Sequence, residues 1–538
     1  MALFRSKQAT NPDQPDVIIV GAGHNALGAA AYLQRVGLKT LVLERNAVAG
    51  GGVISKELTL PGFKHDCHAS GVVHLQGHPI LTADELELKS RFGLEFAYPE
   101  ASYMTVFGDG DTLTCYADLD RACADIARYS ENDAVAYREM VAYMDEIMPM
   151  INMSMARPPL PFAGFVGMLG QMPGGTDLLG AMMKSAYDIV EERFEHPKVK
   201  LHLLKWVTEG LTCEFEHKTT GVAMLYLIGF SHSHPAGVPV GGMGALSQSM
   251  IRCIEHYGGE VRTNTEVTRI INDNGTVRSV ELASGEILTA NKAVIANIHP
   301  HLLGDKIDGL DPTLIKRAKQ VQLADFSGIL INCALREAPR WTSGTDADSC
   351  LYINVVEDCT VDGLRRYTDR LSLGELPEQP VAVVSNHTNF DPTRAPDGQH
   401  TLYVFSWAPG ALADGGMERW DDIKEERADK VMEWLAQYAP NLSGDNILAR
   451  HVDSPLDMVR HSPSFQRGDL TGSAMYLYQM MGMRPTPELS NYRVPGADGL
   501  YLCGPAMHPG GGITGGGRPV AIRVLEDLGI DYSNIIRS

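Results

Sequence analysis

The hydrophobic pattern near the N-terminus alternates between strand and helix. Asp16–Val20 (DVIIV) is a short apolar run of mostly β-branched residues, the pattern of a parallel strand covered on both faces. A glycine turn follows at once. Asn25–Val36 then places Ala26, Ala29, Ala30 and Leu33 at helical spacing, and Gly37 marks the stop. Thr40–Glu44 (TLVLE) reads as a second buried strand, so the three pieces predict a βαβ unit.

Further along, Gly241–Tyr257 predicts a turn and an amphipathic helix. Strands are expected at Val261–Ile271, Val277–Leu282, Ile287–Ala290 and Ala293–Ala296, and a charged helix near Asp421–Tyr438. Leu500–Cys503 returns to the buried-strand pattern, and Gly515–Leu528 reads as a helix after a glycine turn. The order predicts an α/β chain that weaves between two domains: a Rossmann-like domain from 12–85, 239–335 and 490–538, and a mixed α+β domain from 86–238 and 336–489. Within the second domain, Ile147–Met183 is rich in Met, Pro and Gly. Adaptable Met side chains suit either a packed lid or an apolar substrate surface.

Composition narrows the function classes. A net charge of −20 without a Lys/Arg-rich stretch argues against nucleic acid as a partner. Nine scattered cysteines include no C-x-x-C pair, so the spacing gives neither a zinc site nor a dithiol centre. Met1–Asp16 is polar and lacks the apolar core of a secretory leader, and the prolines of Pro158–Thr176 would break a spanning helix. A reducing, cytoplasmic setting is expected. The 54 glycines cluster near 21–52 and 504–517, where backbone can approach a ligand closely.

Gly21-Ala22-Gly23-His24-Asn25-Ala26 fits G-x-G-x-x-G/A between a predicted strand and helix. Gly21 permits the tight turn, Gly23 the approach of a pyrophosphate, and Ala26 close helix–strand packing. Glu44 ends the second strand, where its carboxylate can accept the hydroxyls of an adenosine ribose. This much fits NAD or FAD. The second glycine cluster lies in Gly499–Gly517, which follows a predicted strand and opens a predicted helix.

The motifs VGAGHNALGAA, GGMGALSQSMIRCIEHYGGEVRTNTEVTRII and GLYLCGPAMHPGGGITGG resemble the phytoene-desaturase-like flavoproteins, nearest the branch with the O-type carotenoid ketolases and the pyridine nucleotide-disulphide oxidoreductase domain-containing proteins. Arg45, Gly51 and Gly52 resemble the extension that follows the second strand in large FAD-binding proteins. The resemblance covers the first domain well and the second poorly. It implies FAD as cofactor, Val267 with its backbone against the adenine, and Gly504, Pro505, Gly512 and Ile513 as flavin contacts. It also implies a helix N-terminus aimed at the flavin's N1–C2=O edge, where negative charge gathers on reduction.

His508 lies inside the C-terminal motif, and His68 follows the first glycine segment in a stretch that in relatives passes near the flavin. Either could accept a proton near neutral pH or serve as a hydrogen-bonded structural residue. His232 and His234 resemble a metal pair, but no nearby carboxylate or cysteine supports one, and no metal is expected. The expected reaction is dehydrogenation of a hydrophobic, isoprenoid or alicyclic substrate by hydride transfer to flavin N5, with oxygen or a quinone as electron acceptor and room for a peripheral membrane contact. Amine oxidation or isomerisation on the same scaffold, and a non-catalytic prenyl-binding escort, are the alternatives. The sequence leaves the oligomeric state open.

Overall fold

The structure is a computed structural model that describes residues 11–536; the first ten residues of the polar Met1–Asp16 stretch lie outside it. Strands Val17–Val20, Thr40–Leu43 and Ala293–Ala296 are buried at every position, as their continuous apolar runs require. They lie in a five-stranded parallel sheet, ordered Leu500–Leu502, Ala293–Ala296, Val17–Val20, Thr40–Leu43, Glu260–Arg262. The chain's two ends therefore share one sheet. Helix His24–Arg35 packs against the C-terminal helix Gly517–Leu528 so closely that a Cβ on Gly517 would sit 2.2 Å from the Asn25 carbonyl oxygen and 2.5 Å from the Ala29 nitrogen.

The predicted strand Val261–Ile271 is two strands. Glu260–Arg262 ends in the parallel sheet, the chain turns at Asn264 with φ +51°, and Val267–Asp273 begins a three-stranded antiparallel sheet with Thr276–Leu282 and Ile287–Thr289. An unbroken β-propensity run conceals this turn, because only Asn264 takes the left-handed conformation.

The second domain is built on a seven-stranded mixed sheet, ordered Ile447–Asp453, Ser327–Leu335, His400–Ala408, Ala382–Ser385, Cys350–Val356, Ala101–Phe107, Thr112–Tyr116. Both faces are covered. Leu330, Phe405 and Trp407 join the core beneath a set of helices, while Ile329, Ile331 and Val404 join a separate core on the other face. The covering helices include Glu131–Met155, Phe162–Leu169, Gly175–Met183, Pro197–Leu211 and Gly221–Ser233. One expected boundary needs correction. Ser327–Leu335 pairs along its length with His400–Ala408, so the second piece of the Rossmann-like domain ends before residue 327 and not at 335. Its apolar run resembles those of the parallel sheet, and only the pairing partner distinguishes them.

Candidate active site

The glycine turn is shaped by direct backbone contact. Gly21 has φ +85°, Gly51 has φ +60°, and a Cβ on Gly51 would lie 2.9 Å from Gly23 Cα. Gly50 N–H donates to the Ala22 carbonyl at 2.8 Å, which fastens the Gly50–Gly52 run onto the Gly21–Gly23 turn. Glu44 is buried at the end of its strand; Oε2 accepts from Ala22 N–H at 2.9 Å and Oε1 from Asn46 N–H at 2.9 Å. Each carboxylate oxygen keeps a lone pair for a further donor.

Asn297 follows strand Ala293–Ala296 and locks the crossover. With its amide oriented to suit both neighbours, it accepts from Gly23 N–H at 3.2 Å and donates to the Cys503 carbonyl at 3.3 Å. Gly504, at φ +119°, allows this approach, since a Cβ there would fall 2.6 Å from the Asn297 side chain. A polar residue one step past the AVIA strand is the signal that sequence reasoning passed over.

These elements enclose a cavity of about 390 Å³. Gly21, Gly23, Glu44, Arg45, Gly51, Gly52, His68, Val267, Pro505, Gly512 and Ile513 all line it, joined by His24, Asn25, Asn297 and Lys306. Ala26 does not; it is fully buried within the helix and acts through packing. Gly504 shapes the wall from behind. Helix His24–Arg35 carries neither a side-chain cap nor an acidic residue in its first turn, so its positive end is free for an anion.

His508 lies elsewhere. It lines a second chamber of about 120 Å³ that shares His74, Gly210, Leu227 and Thr471 with the main cavity. Eight methionines wall this chamber: Met144, Met150, Met155, Met168 and Met182 from the helices, and Met475, Met480 and Met481 from the segment opposite. Among the described residues no Asp, Glu, Lys or Arg faces it. The His508 ring is buried and donates Nε2–H to the Ser154 carbonyl at 3.0 Å, while Nδ1 has no partner. Burial lowers its pKa to about 4, against a smaller raising effect from the Ser154 carbonyl.

His68 sits between the rings of His461 and Phe465, each centroid 5.0 Å away. Burial, reinforced by His461, lowers its pKa to about 3. Both histidines are therefore neutral at pH 7, and their low basicity weakens each as a proton acceptor. His232 and His234 are not brought together as a ligand pair: His232 bonds Tyr137 Oη at 2.8 Å, and His234 approaches Asn152 at 3.5 Å.

The glycine turns where a Cβ has no room, the uncapped helix N-terminus and the buried Glu44 carboxylate together fit the ADP half of a dinucleotide. The C-terminal glycine loop and the cavity beyond it fit the flavin half. The family model for flavin containing amine oxidoreductases matches residues 27–517. The chain belongs to that family. It is an FAD-dependent oxidoreductase of the phytoene-desaturase-like superfamily, as the motifs implied.

It is 28% identical to pyridine nucleotide-disulfide oxidoreductase domain-containing protein 2 of Rattus norvegicus, over 95% of this chain and 94% of the relative. It is 27% identical to one of the subunits of limonene dehydrogenase from Castellaniella defragrans, over 96% of each chain. Its fold is similar to that of cyclohexylamine oxidase from Brevibacterium oxydans, with TM-score 0.57, 16% identity, and coverage of 96% of this chain and 100% of the other.

Proposed function

We propose that this oxidoreductase dehydrogenates a hydrophobic alicyclic or isoprenoid molecule that lies partly in the methionine-lined chamber. The observation that carries the reading is the junction of the two spaces: the cavity that fits FAD continues into a chamber walled by eight methionines and, among the described residues, no charged side chain. Apolar groups gain by leaving water there, and flexible thioethers adapt to more than one hydrocarbon shape. FAD, when bound, supplies the acceptor for a hydride and with it the two electrons of the reaction. This chain's residues hold it: Glu44 the ribose, the Gly21–Gly23 turn the pyrophosphate, Val267 the adenine, and Pro505, Gly512 and Ile513 the flavin end.

Two kinds of relative support the same direction, a limonene dehydrogenase and the phytoene desaturases. Oxygen or a quinone is the proposed electron acceptor. Met153, Leu160 and Met183 are exposed in the stretch that walls the chamber, which supports a peripheral membrane contact. A second reading, amine oxidation, is favoured by one feature: Trp206, Tyr352, Tyr403 and Phe405 gather on the wall of the main cavity.

Anaerobic mixing of the yellow holoenzyme with matched hydrocarbons, alcohols and amines tests both readings. Bleaching of the flavin by an apolar cyclic or prenyl compound is the expected result; bleaching by amines alone overturns it in favour of the second reading.

A further inference from the structure

Away from the adenosine end of the main cavity, where Glu44, Arg45, Glu266 and Lys306 lie, the described lining residues include a single charged side chain, Glu209. It stands in the last turn of helix Pro197–Leu211, where the helix dipole disfavours an anion. Two donors offset this. Lys205 Nζ and Trp407 Nε1 both bond Oε2, the latter at 2.7 Å, and Lys205 also donates to Asn354 Oδ1 at 3.1 Å. Lys205 and Trp407 have no exposed surface, so the carboxylate is held in one orientation. Its other oxygen, Oε1, takes no hydrogen bond among the described residues.

The aromatic hydroxyls of the same cavity do not supply one. Tyr403 donates to the His68 carbonyl at 2.7 Å, and Tyr352 pairs with Ser70 Oγ at 3.2 Å. Gly210, the chain neighbour of Glu209, lines both the main cavity and the methionine chamber, so a molecule reaching Glu209 can extend its remainder into that chamber. An acceptor at a fixed point beside an uncharged apolar space selects a ligand with one donor and a hydrocarbon body.

We propose that Glu209 Oε1 is the recognition point for a neutral hydroxyl group, and that the substrate is accordingly an apolar alcohol. This rests on the function proposed above and narrows it. An ammonium group fits less well, because Lys205 already balances the carboxylate and a cation entering the cavity would meet no uncompensated negative charge.

The test uses holoenzyme at pH 7.5, titrated with cyclohexylmethanol, methylcyclohexane, cyclohexylmethylamine and cyclohexyl methyl ketone while the visible flavin spectrum is followed. The wild-type protein is expected to bind the alcohol about tenfold or more tightly than the hydrocarbon, as for a hydrogen bond to a charged acceptor. In Glu209→Gln the amide oxygen must face Lys205 and Trp407, which leaves N–H toward the cavity. The preference should then pass from the alcohol to the ketone. The double variant Lys205→Met/Glu209→Gln avoids a buried unpaired ammonium and should show the same reversal.

Equal affinity for alcohol and hydrocarbon in the wild type, tightest binding of the amine, a preference for the alcohol over the ketone surviving in the double variant, or no spectral response to any probe would each overturn the proposal. Flavin bleaching by a hydrocarbon together with equal alcohol and hydrocarbon affinity would remove Glu209 from recognition while leaving the proposed dehydrogenation standing.

Discussion

Arg394 donates Nη1–H to Asp66 Oδ2 at 2.5 Å, and this fully buried pair joins positions 328 residues apart in the chain. Arg394 also bonds Asp391 at 3.0 Å and the Pro239 carbonyl at 3.2 Å. Asp66 in turn accepts from Met243 N–H at 2.8 Å, at the entry to helix Gly244–His256. Burial alone would raise the Asp66 carboxyl, but Arg394, His387 and the Ser55 hydroxyl hold it below its ordinary value. Arg394→Met would strand two buried carboxylates, and removal of one partner from such a cluster costs about 3–5 kcal/mol. Urea denaturation of the purified variant should show that loss; a change below about 1 kcal/mol would mean that solvent reaches the pair.

Glu44→Ala should weaken FAD binding by about tenfold to a hundredfold, the range for loss of hydrogen bonds to a charged acceptor. Fluorescence of released flavin after dilution reads the effect directly. Unchanged retention would mean that the two backbone amides on Glu44 are its whole role.

His508→Ala is expected to leave flavin reduction within about threefold of wild type per bound flavin, well short of the 10²–10⁴-fold loss that follows removal of a general base. The reason lies in the chamber: the ring gives its Nε2 proton to the Ser154 carbonyl and is too weakly basic to hold another. Stopped-flow reduction alongside flavin content decides the matter, and a hundredfold loss at full flavin content would restore His508 as a base.

Acid should destabilise the protein through its histidines. Burial lowers the pKa of His24, His65, His74, His387 and His508 to about 4 and of His68, His78, His202 and His299 to about 3, all from 6.5. In the unfolded chain these groups take up protons near pH 6.5, while in the fold they stay neutral down to pH 4 or below. Between those values the unfolded state binds more protons, so stability falls as pH falls. Thermal melts from pH 7.5 to pH 5 should show a steady decline in Tm, and a flat profile would contradict the burial of these rings.

Gly517→Ala should expel the cofactor, because the added methyl would meet main-chain atoms of Asn25 and Ala29 that cannot rotate away. Gly37→Ala, where nothing lies within 4 Å, serves as the control; it carries backbone strain at φ +90° but no collision. Absorbance at 450 nm relative to 280 nm compares their flavin content.

The parallel sheet was legible because its strands are continuous apolar runs bracketed by glycine, and local patterning suffices for those. The second domain was not, since Ser327–Leu335 has the same local character as Ala293–Ala296 and differs only in its distant partners. That Gly21, Gly23 and Glu44 meet at one turn was readable from their local spacing, whereas Asn297 and Glu209 reach the cavity through tertiary packing. Lys205 and Glu209 stand four residues apart, the spacing of a solvent-facing ion pair on a helix. Nothing in that spacing tells that the pair is enclosed.

The pairing of Leu500–Leu502 with Ala293–Ala296, and of Gly517 with Gly28, has a consequence in time as well as space. At about 5–20 residues per second, synthesis of the stretch from Gly28 to Gly517 takes roughly 25 to 100 seconds, and this wall of the cradle is made only after it. For nearly all of that interval the nascent protein offers the cofactor half a site. Loading must wait for the helix Gly517–Leu528, and a chain cut short before that helix would carry no colour however well the rest of it folded.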